Sequence, residues 1–294
     1  MLPGSHIQEN GAILMGSVYK YLSFKYGGFL DDGFLRFTQP VALNDPYECL
    51  AAFPDLSPEE QAADLFSGAL DEINFSVNDA PNVKSVKLEQ IRTAVRRIRG
   101  MAEENPNFLR DFSNKTNYAK INKGLGILSL SRRWNSALMW SHYTETYRGY
   151  CVGFNKEHSF FEEVNIGGEL KRTSLLPVKY SKKRTIVPQR QDQAPGLDIF
   201  LTKSTDWAYE EEDRLLALLI DADKTKDLKP HKVHLFKMPL DAISEIVLGH
   251  NAPESLRIDV LEAGKRLGVP VYRTKISSRS FDVEREDLVG GIYI

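Results

Sequence analysis

The stretch Trp207-Ala208-Tyr209-Glu210-Glu211-Glu212-Asp213-Arg214, which runs into Leu215-Leu216-Ala217-Leu218-Leu219-Ile220, decides how this chain is read. Four acids and an arginine stand at the mouth of an apolar run of strand length. Strand side chains alternate between faces, so Glu210, Glu212 and Arg214 are expected on one side and Trp207, Tyr209 and Asp213 on the other. Two carboxylates on one face beside buried apolar residues are costly unless paired, and Arg214 is the obvious partner. A catalytic acid pair and a structural ion pair both fit this spacing, and both stay open.

Strand patterns recur on either side of that stretch. Val18-Tyr19-Lys20-Tyr21-Leu22 is aromatic and alternating. Gly27-Gly28 opens a short helix or turn that Gly33 closes, and Phe34-Leu35-Arg36-Phe37-Thr38 alternates again until Pro40 stops it. Asn44-Asp45-Pro46 is a turn signal, because Asn and Asp cap their own backbone and Pro fixes φ. Ile127-Leu128-Ser129-Leu130-Ser131 alternates apolar residues with serine, which predicts both hydroxyls on one face. A helix is predicted from Asn135 to Tyr147 with Asn135 as its cap, then the strand Tyr150-Cys151-Val152-Gly153-Phe154. Leu176 to Tyr180 reads as an edge strand, Lys182 to Pro195 as a polar loop, and Leu197 to Thr205 as a helix. The tail gives strand (Ile246 to Gly249), helix (Pro253 to Leu267) and strand (Val269 to Tyr272), a small βαβ-like unit.

Between these strands, residues 57–122 change character. Ser57-Pro58-Glu59-Glu60 is a helix start, and Val86, Leu88, Ile91, Val95 and Ile98 form an apolar stripe flanked by Arg92, Arg96, Arg97 and Arg99. This is the pattern of an amphipathic helix with a solvated basic face. No aromatic residues interleave the arginines for base stacking. The expected fold is therefore α+β, with a central mixed or antiparallel sheet, a helical insertion at about 57–122 and the C-terminal βαβ-like unit. One domain is expected over 18–294, after a flexible tail at 1–17.

Composition excludes several classes. A hydrophobic fraction of 42% and a charged fraction of 27% are those of an ordinary globular chain. A net charge of -2 argues against broad attraction to nucleic acid or anionic membrane. No apolar run is long enough for a bilayer span, and no secretory leader is legible, so a cytoplasmic protein with no membrane partner is expected. Cys49 and Cys151 sit among apolar neighbours and read as buried thiols. His231 and His234 lack a nearby third ligand, so no metal is expected. Neither standard glycine-rich phosphate loop occurs, nor a Gly-x-Ser-x-Gly elbow or a zinc-finger cysteine array.

Five segments together resemble the bacterial domain-of-unknown-function family 2971: Val18 to Tyr21, Leu43 to Glu48, Leu128 to Ser131, Leu138-Met139-Trp140-Ser141-His142-Tyr143 leading to Gly149 through Phe154, and Trp207 to Arg214. Their order is also similar to the ADP-ribosyltransferase fold. That resemblance implies NAD as substrate, held by Tyr19 or Tyr21 of the first strand, by Ser129 and Ser131, and by Tyr143 beside His142. It implies Glu212, supported by Glu210, as the acid that stabilises an oxocarbenium-like transition state. The first strand carries Tyr-Lys-Tyr where that fold usually has Arg or His, and the serine strand reads Ser-Leu-Ser in place of Ser-Thr-Ser. The implied activity is that of an ADP-ribosyltransferase or NAD glycohydrolase-like protein of a bacterial toxin or defence system. Its ligand is a small-molecule nucleotide and its acceptor a protein or nucleic acid.

Two other readings stand beside it. If Asp45, Glu48, Glu210 and Glu212 converge, they offer oxygen ligands to a divalent ion, as in a metal-dependent nuclease or phosphodiesterase. A non-catalytic nucleotide-binding or protein-binding module is the third.

Overall fold

The computed structural model describes residues 16–26, 28–52, 60, 81–105, 111, 118–119, 121–186 and 196–288. The expected tail at 1–17 lies outside them save its last two residues, and so do the helix start at Ser57 and most of the polar loop before Pro195. The strands are β1 (Ser17–Leu22), β2 (Phe34–Phe37), β3 (Leu125–Ser131), β4 (Tyr150–Asn155), β5 (Val164–Ile166), β6 (Glu169–Arg172), β7 (Leu176–Pro177), β8 (Lys179–Ser181), β9 (Thr202–Ser204), β10 (Glu212–Leu218), β11 (Lys224–Lys226), β12 (Val233–Lys237), β13 (Ile243–Leu248), β14 (Val271–Ile276) and β15 (Val283–Asp287). The α-helices are α1 (Phe29–Asp32), α2 (Pro81–Glu104), α3 (Ala137–Tyr143), α4 (Asp198–Leu201) and α5 (Glu254–Leu267).

Ten strands form one mixed sheet, curled into a half-barrel, in the order β15-β14-β13-β4-β1-β3-β10-β6-β5, with β7 also on β10. Its pairs are antiparallel except β13 and β14, which α5 connects as a parallel βαβ unit. Val18, Val152, Leu128, Leu215 and Ile246 place the main core on one face. On the opposite face a row of directly paired residues crosses five strands: Glu245, Gly153, Tyr19, Ser131 and Glu212. A carboxylate therefore stands at each end of that row.

Several sequence signals act where expected. Gly33 adopts φ 65° at the end of α1, and its N–H donates to the Phe29 carbonyl. Asp45 Oδ1 accepts the Tyr47 N–H at 2.9 Å, the Asx turn expected there. Helix α2 begins at Pro81, and its basic face carries its own acids: Arg92 and Arg96 each stand 3.7 Å from Glu89, and Arg99 lies 3.0 Å from Glu103. Of its apolar stripe, Ile91 is buried while Val86 is exposed.

Other boundaries move, each for a local reason. Helix α3 is capped by Ser136, whose hydroxyl accepts the Met139 N–H, and not by Asn135. It ends at Tyr143, because the Thr144 hydroxyl donates to the Trp140 carbonyl and the chain then turns left-handed through Glu145, Thr146 and Tyr147 (φ 53°, 59° and 61°). The predicted helix from Leu197 to Thr205 is helical only as far as Leu201. Thr202-Lys203-Ser204 instead pairs in parallel with β8, where β-branched and short polar residues are better placed than in a helix. Among the described residues no helix is long and apolar enough to cross a membrane.

Candidate functional site

The opening stretch is a strand only from Glu212. Ser204 caps a 3-10 turn over Thr205–Glu210 through the Asp206 N–H, so Trp207, Tyr209 and Glu210 are not strand residues as the alternation suggested. Glu211 follows with φ 44°, a left-handed conformation, and its carbonyl accepts the Arg132 N–H. That kink re-aims the chain, and Glu210 and Glu212 still reach the same cation. Ser131 fixes the kink from below by donating its hydroxyl to the Glu210 carbonyl at 2.6 Å. The Glu212 N–H donates to the Tyr180 hydroxyl at 2.8 Å.

The cation they share is Lys203 of β9. Its Nζ donates to Glu210 Oε2 at 2.5 Å and to Glu212 Oε2 at 3.2 Å, and it stands 3.7 Å from Glu48. Arg214 closes the ring: its Nε and Nη2 grip Glu212 at 2.7 and 3.0 Å, and Nη2 also meets Glu48. Three carboxylates thus share two directly bonded cations, and none of the five residues is more than 5% exposed. Burial of this kind holds only when every charge has a close partner.

The environment tunes each group in a definite direction. Burial pushes the Glu212 carboxyl up, against the pull of Lys203. Burial also works against the Lys203 ammonium, but Glu212 and Glu210 more than reverse this and hold it charged. Tyr143 donates its hydroxyl to Glu210 Oε1 at 2.5 Å and accepts from Asn44 Nδ2 at 2.8 Å. Burial and the Glu210 charge hold that phenol firmly protonated. Trp207 lies 4.9 Å over the Lys203 ammonium and packs beside Tyr209, which meets His142 Nδ1 at 3.1 Å.

The sequence-predicted residues divide. Glu210, Glu212, Ser129, Ser131 and Tyr143 come together, with Ser129 opposite Arg214 and Ser131 opposite Glu212 in the β3–β10 ladder. His142 is exposed at the rim, on Tyr209. Tyr19 and Tyr21 do not reach the acids. Burial and the nearby Glu245 charge hold the Tyr19 phenol protonated, and Tyr21 donates to the Arg133 carbonyl while its ring meets Trp140 edge-on. The first-strand residue that turns toward the acids is Lys20, whose Nζ donates to the Ser129 carbonyl at 2.9 Å. Burial pulls that ammonium down to about 8, against Glu212 and Glu210.

Lys203 went unrecognised because its segment scanned as helix. Glu48, one of the acids that could have offered oxygen ligands to a divalent ion, pairs with Arg214 and Lys203. The acids that would have ligated a divalent ion do converge, but on a lysine and an arginine. Among the described residues no cluster of His, Cys, Asp and Glu is arranged to hold a metal ion.

A cleft of about 330 Å³ adjoins this ring and shares Glu48 and Lys203 with it; Asp45, Lys183, Arg184 and Thr202 stand among its walls. Cys49 also lines it, and burial holds its thiol protonated, pushed up to about 12.

Known proteins add one finding. The family model described as "Protein of unknown function (DUF2971)" matches residues 139–215, from α3 through β4 to the gripped acids of β10. No curated protein and no solved structure matches this chain.

Proposed function

We propose that this chain is an NAD-using ADP-ribosyltransferase or NAD glycohydrolase-like protein, with Glu212 as the principal acid and Glu210 in support. The observation that carries the reading is the gathering of Ser129, Ser131, Tyr143, Glu210 and Glu212 about one buried cation, from three separate parts of the chain. Loss of nicotinamide from NAD leaves positive charge on the ribose, and a fixed carboxylate that already exceeds its cations in number stabilises that charge. Lys203 and Arg214 hold Glu212 without freedom to reorient, which is the preorganisation such a step needs. The partly exposed rings of Tyr143, Tyr209 and Trp207 give the cationic nicotinamide a wall to lie against. Lys20 takes the place of the usual first-strand Arg or His. The acceptor is a protein, a nucleic acid, a small molecule or water, and a cytoplasmic bacterial toxin or defence factor is the setting that suits it.

The test is nicotinamide release from NAD by the full chain. Glu212→Gln keeps the shape of the side chain and is expected to lower the rate at least about 100-fold, the scale of losing one electrostatic stabiliser. Circular dichroism must show the variant folded. A purified protein that neither binds nor consumes NAD, with Glu212→Gln silent, ends the reading.

A further inference from the structure

The small sheet β11-β12-β2 has two unlike faces. Leu35, Phe37 and Phe236 join the main core. The alternate residues form the other face: Lys224 and Lys226 on β11, Val233, Leu235 and Lys237 on β12, and Phe34 and Arg36 on β2. Strand register puts Lys224, Leu235 and Arg36 in one row, with Lys226 beside Val233 and Lys237 beside Phe34. By that register the face carries Lys224, Lys226, Lys237 and Arg36 and no acid. The lysines are exposed, while Phe34, Val233, Leu235 and Arg36 lie half-buried between them.

None of these cations has a carboxylate partner among the described residues. The Lys237 ammonium donates to the Asp32 carbonyl at 2.5 Å, and Lys224 and Lys237 stand 3.7 and 5.0 Å over the Phe34 ring. Arg36 Nε is buried and takes no hydrogen-bond partner among the described residues. The nearby acids are engaged off the face: Asp223 accepts the Lys237 N–H, Asp32 accepts the Phe34 N–H, and Asp227 pairs with Lys232 at 3.2 Å. His234 reports the resulting field from the same strand, because burial, Lys232 and Arg36 together hold its imidazole below the ordinary range.

We propose that this face binds a single strand of nucleic acid, laid along β12 with its phosphates on Lys224, Lys226, Arg36 and Lys237. Same-face residues of one strand stand about 6.7 Å apart, and those of β11 and β2 face each other about 9.6 Å apart across β12. Cations on both sides of a carbon floor make a positive trough that follows a phosphate backbone, with Val233, Leu235 and Phe34 beneath the bases. Recessed apolar residues under long cations suit a strand lying on the face, whereas a lipid surface is entered by apolar side chains that project. Leu228, which does project, lies in the β11–β12 turn and off the face. The net charge of -2 does not oppose this, because charges beyond about 8 Å are largely screened at physiological salt. The site does not rest on the proposed reaction: its readout is binding alone and needs no NAD.

The experiment is a fluorescence-anisotropy titration of a labelled oligothymidylate of about 12 nucleotides with the full chain, repeated across a salt series. Saturable binding is expected, with log affinity falling against log salt at a slope of about -3, or about 0.7 for each phosphate held. Lys224→Gln/Lys226→Gln changes two exposed side chains and should fold; it is expected to halve that slope and to weaken binding at least about tenfold at low salt. Arg92→Gln/Arg96→Gln removes the same two charges from α2 and is expected to change neither. No binding, a flat salt response, insensitivity to the β11 variant, or an equal loss in the α2 variant would each overturn the assignment. Binding to phosphatidylserine vesicles with none to the oligonucleotide would overturn it too, and would give the face to a membrane surface.

Discussion

Two buried carboxylates end the same row across the sheet, and their surroundings differ in kind. Glu245, on β13, has one arginine: Arg285 Nη1 donates to it at 2.8 Å, and Tyr19 of β1 lies beside it across Gly153. That arginine is sandwiched between Trp134 and Tyr272, at 4.6 and 4.0 Å. Charge is matched one to one and roofed by rings, which makes a self-sufficient structural unit. Glu212, at the other end, belongs to a ring of three acids on two cations, beside a cleft and under a half-open aromatic wall. A fold that needs only an ion pair at this point has no use for the third carboxylate. Uneven charge stoichiometry, more than burial, is what makes the β10 end the candidate site.

Removing the arginine from each end gives the largest contrast. Arg214→Met leaves Glu212 and Glu48 facing Lys203 alone, and stability to denaturant is expected to fall by about 3–5 kcal/mol, as for other broken buried pairs. Arg285 keeps its side chain 21% open, so water reaches the vacated position and Arg285→Met is expected to cost about 2 kcal/mol. Equal losses in a urea titration would mean that the two ends are alike.

The next effect acts on the Glu245 end only. Gly153 lies between Tyr19 and Glu245 in the row, and a Cβ there would stand 2.8 Å from Glu245 Cγ and 2.9 Å from Tyr19 Cε1. Gly153→Ala is expected to destabilise the fold by about 1–3 kcal/mol through overpacking. Any NAD turnover per folded molecule should survive. A variant that folds normally but loses turnover would join the two ends into one site and undo the contrast.

How much of this was legible in the sequence follows from the range of the interactions. Local signals read correctly: the alternation of β1, the Gly33 stop, the Asp45 turn, the serine strand and the C-terminal βαβ unit each depend on neighbours a few residues away. Glu212 and Arg214 fell on one face because β10 is regular from Glu212 onward. Glu210 was placed on that face for the wrong reason: a 3-10 turn and a left-handed Glu211, not strand alternation, bring it there. Lys203 was invisible because what makes it a strand residue is the parallel pairing of β9 with β8, over twenty residues earlier. The same applies to Tyr19 and Tyr21, whose partners Glu245 and Arg133 come from distant segments.

The smallest expected effect concerns Lys20, a cation near the ring that bonds none of its acids. Lys20 hydrogen-bonds a carbonyl and not a carboxylate, and its ammonium titrates near 8 in place of 10.5 because burial outweighs the attraction of Glu212 and Glu210. A depressed lysine is a cost to the charged fold. Below about pH 8 the folded and unfolded chains both hold the proton and that cost is present in full. Between about 8 and 10.5 the folded chain has released the proton while the unfolded chain keeps it, so stability rises with pH, and above 10.5 it levels off. Lys20 is partly solvated, so the rise attributable to it is expected to be about 1 kcal/mol, well under the full value of the shift. Other lysines and tyrosines titrate in the same range, so the measurement is the difference between wild type and Lys20→Met in denaturant titrations at pH 7.5, 9 and 10.5. A difference that is flat across that range would show Lys20 to be an ordinary surface lysine, outside the field of the β10 acids.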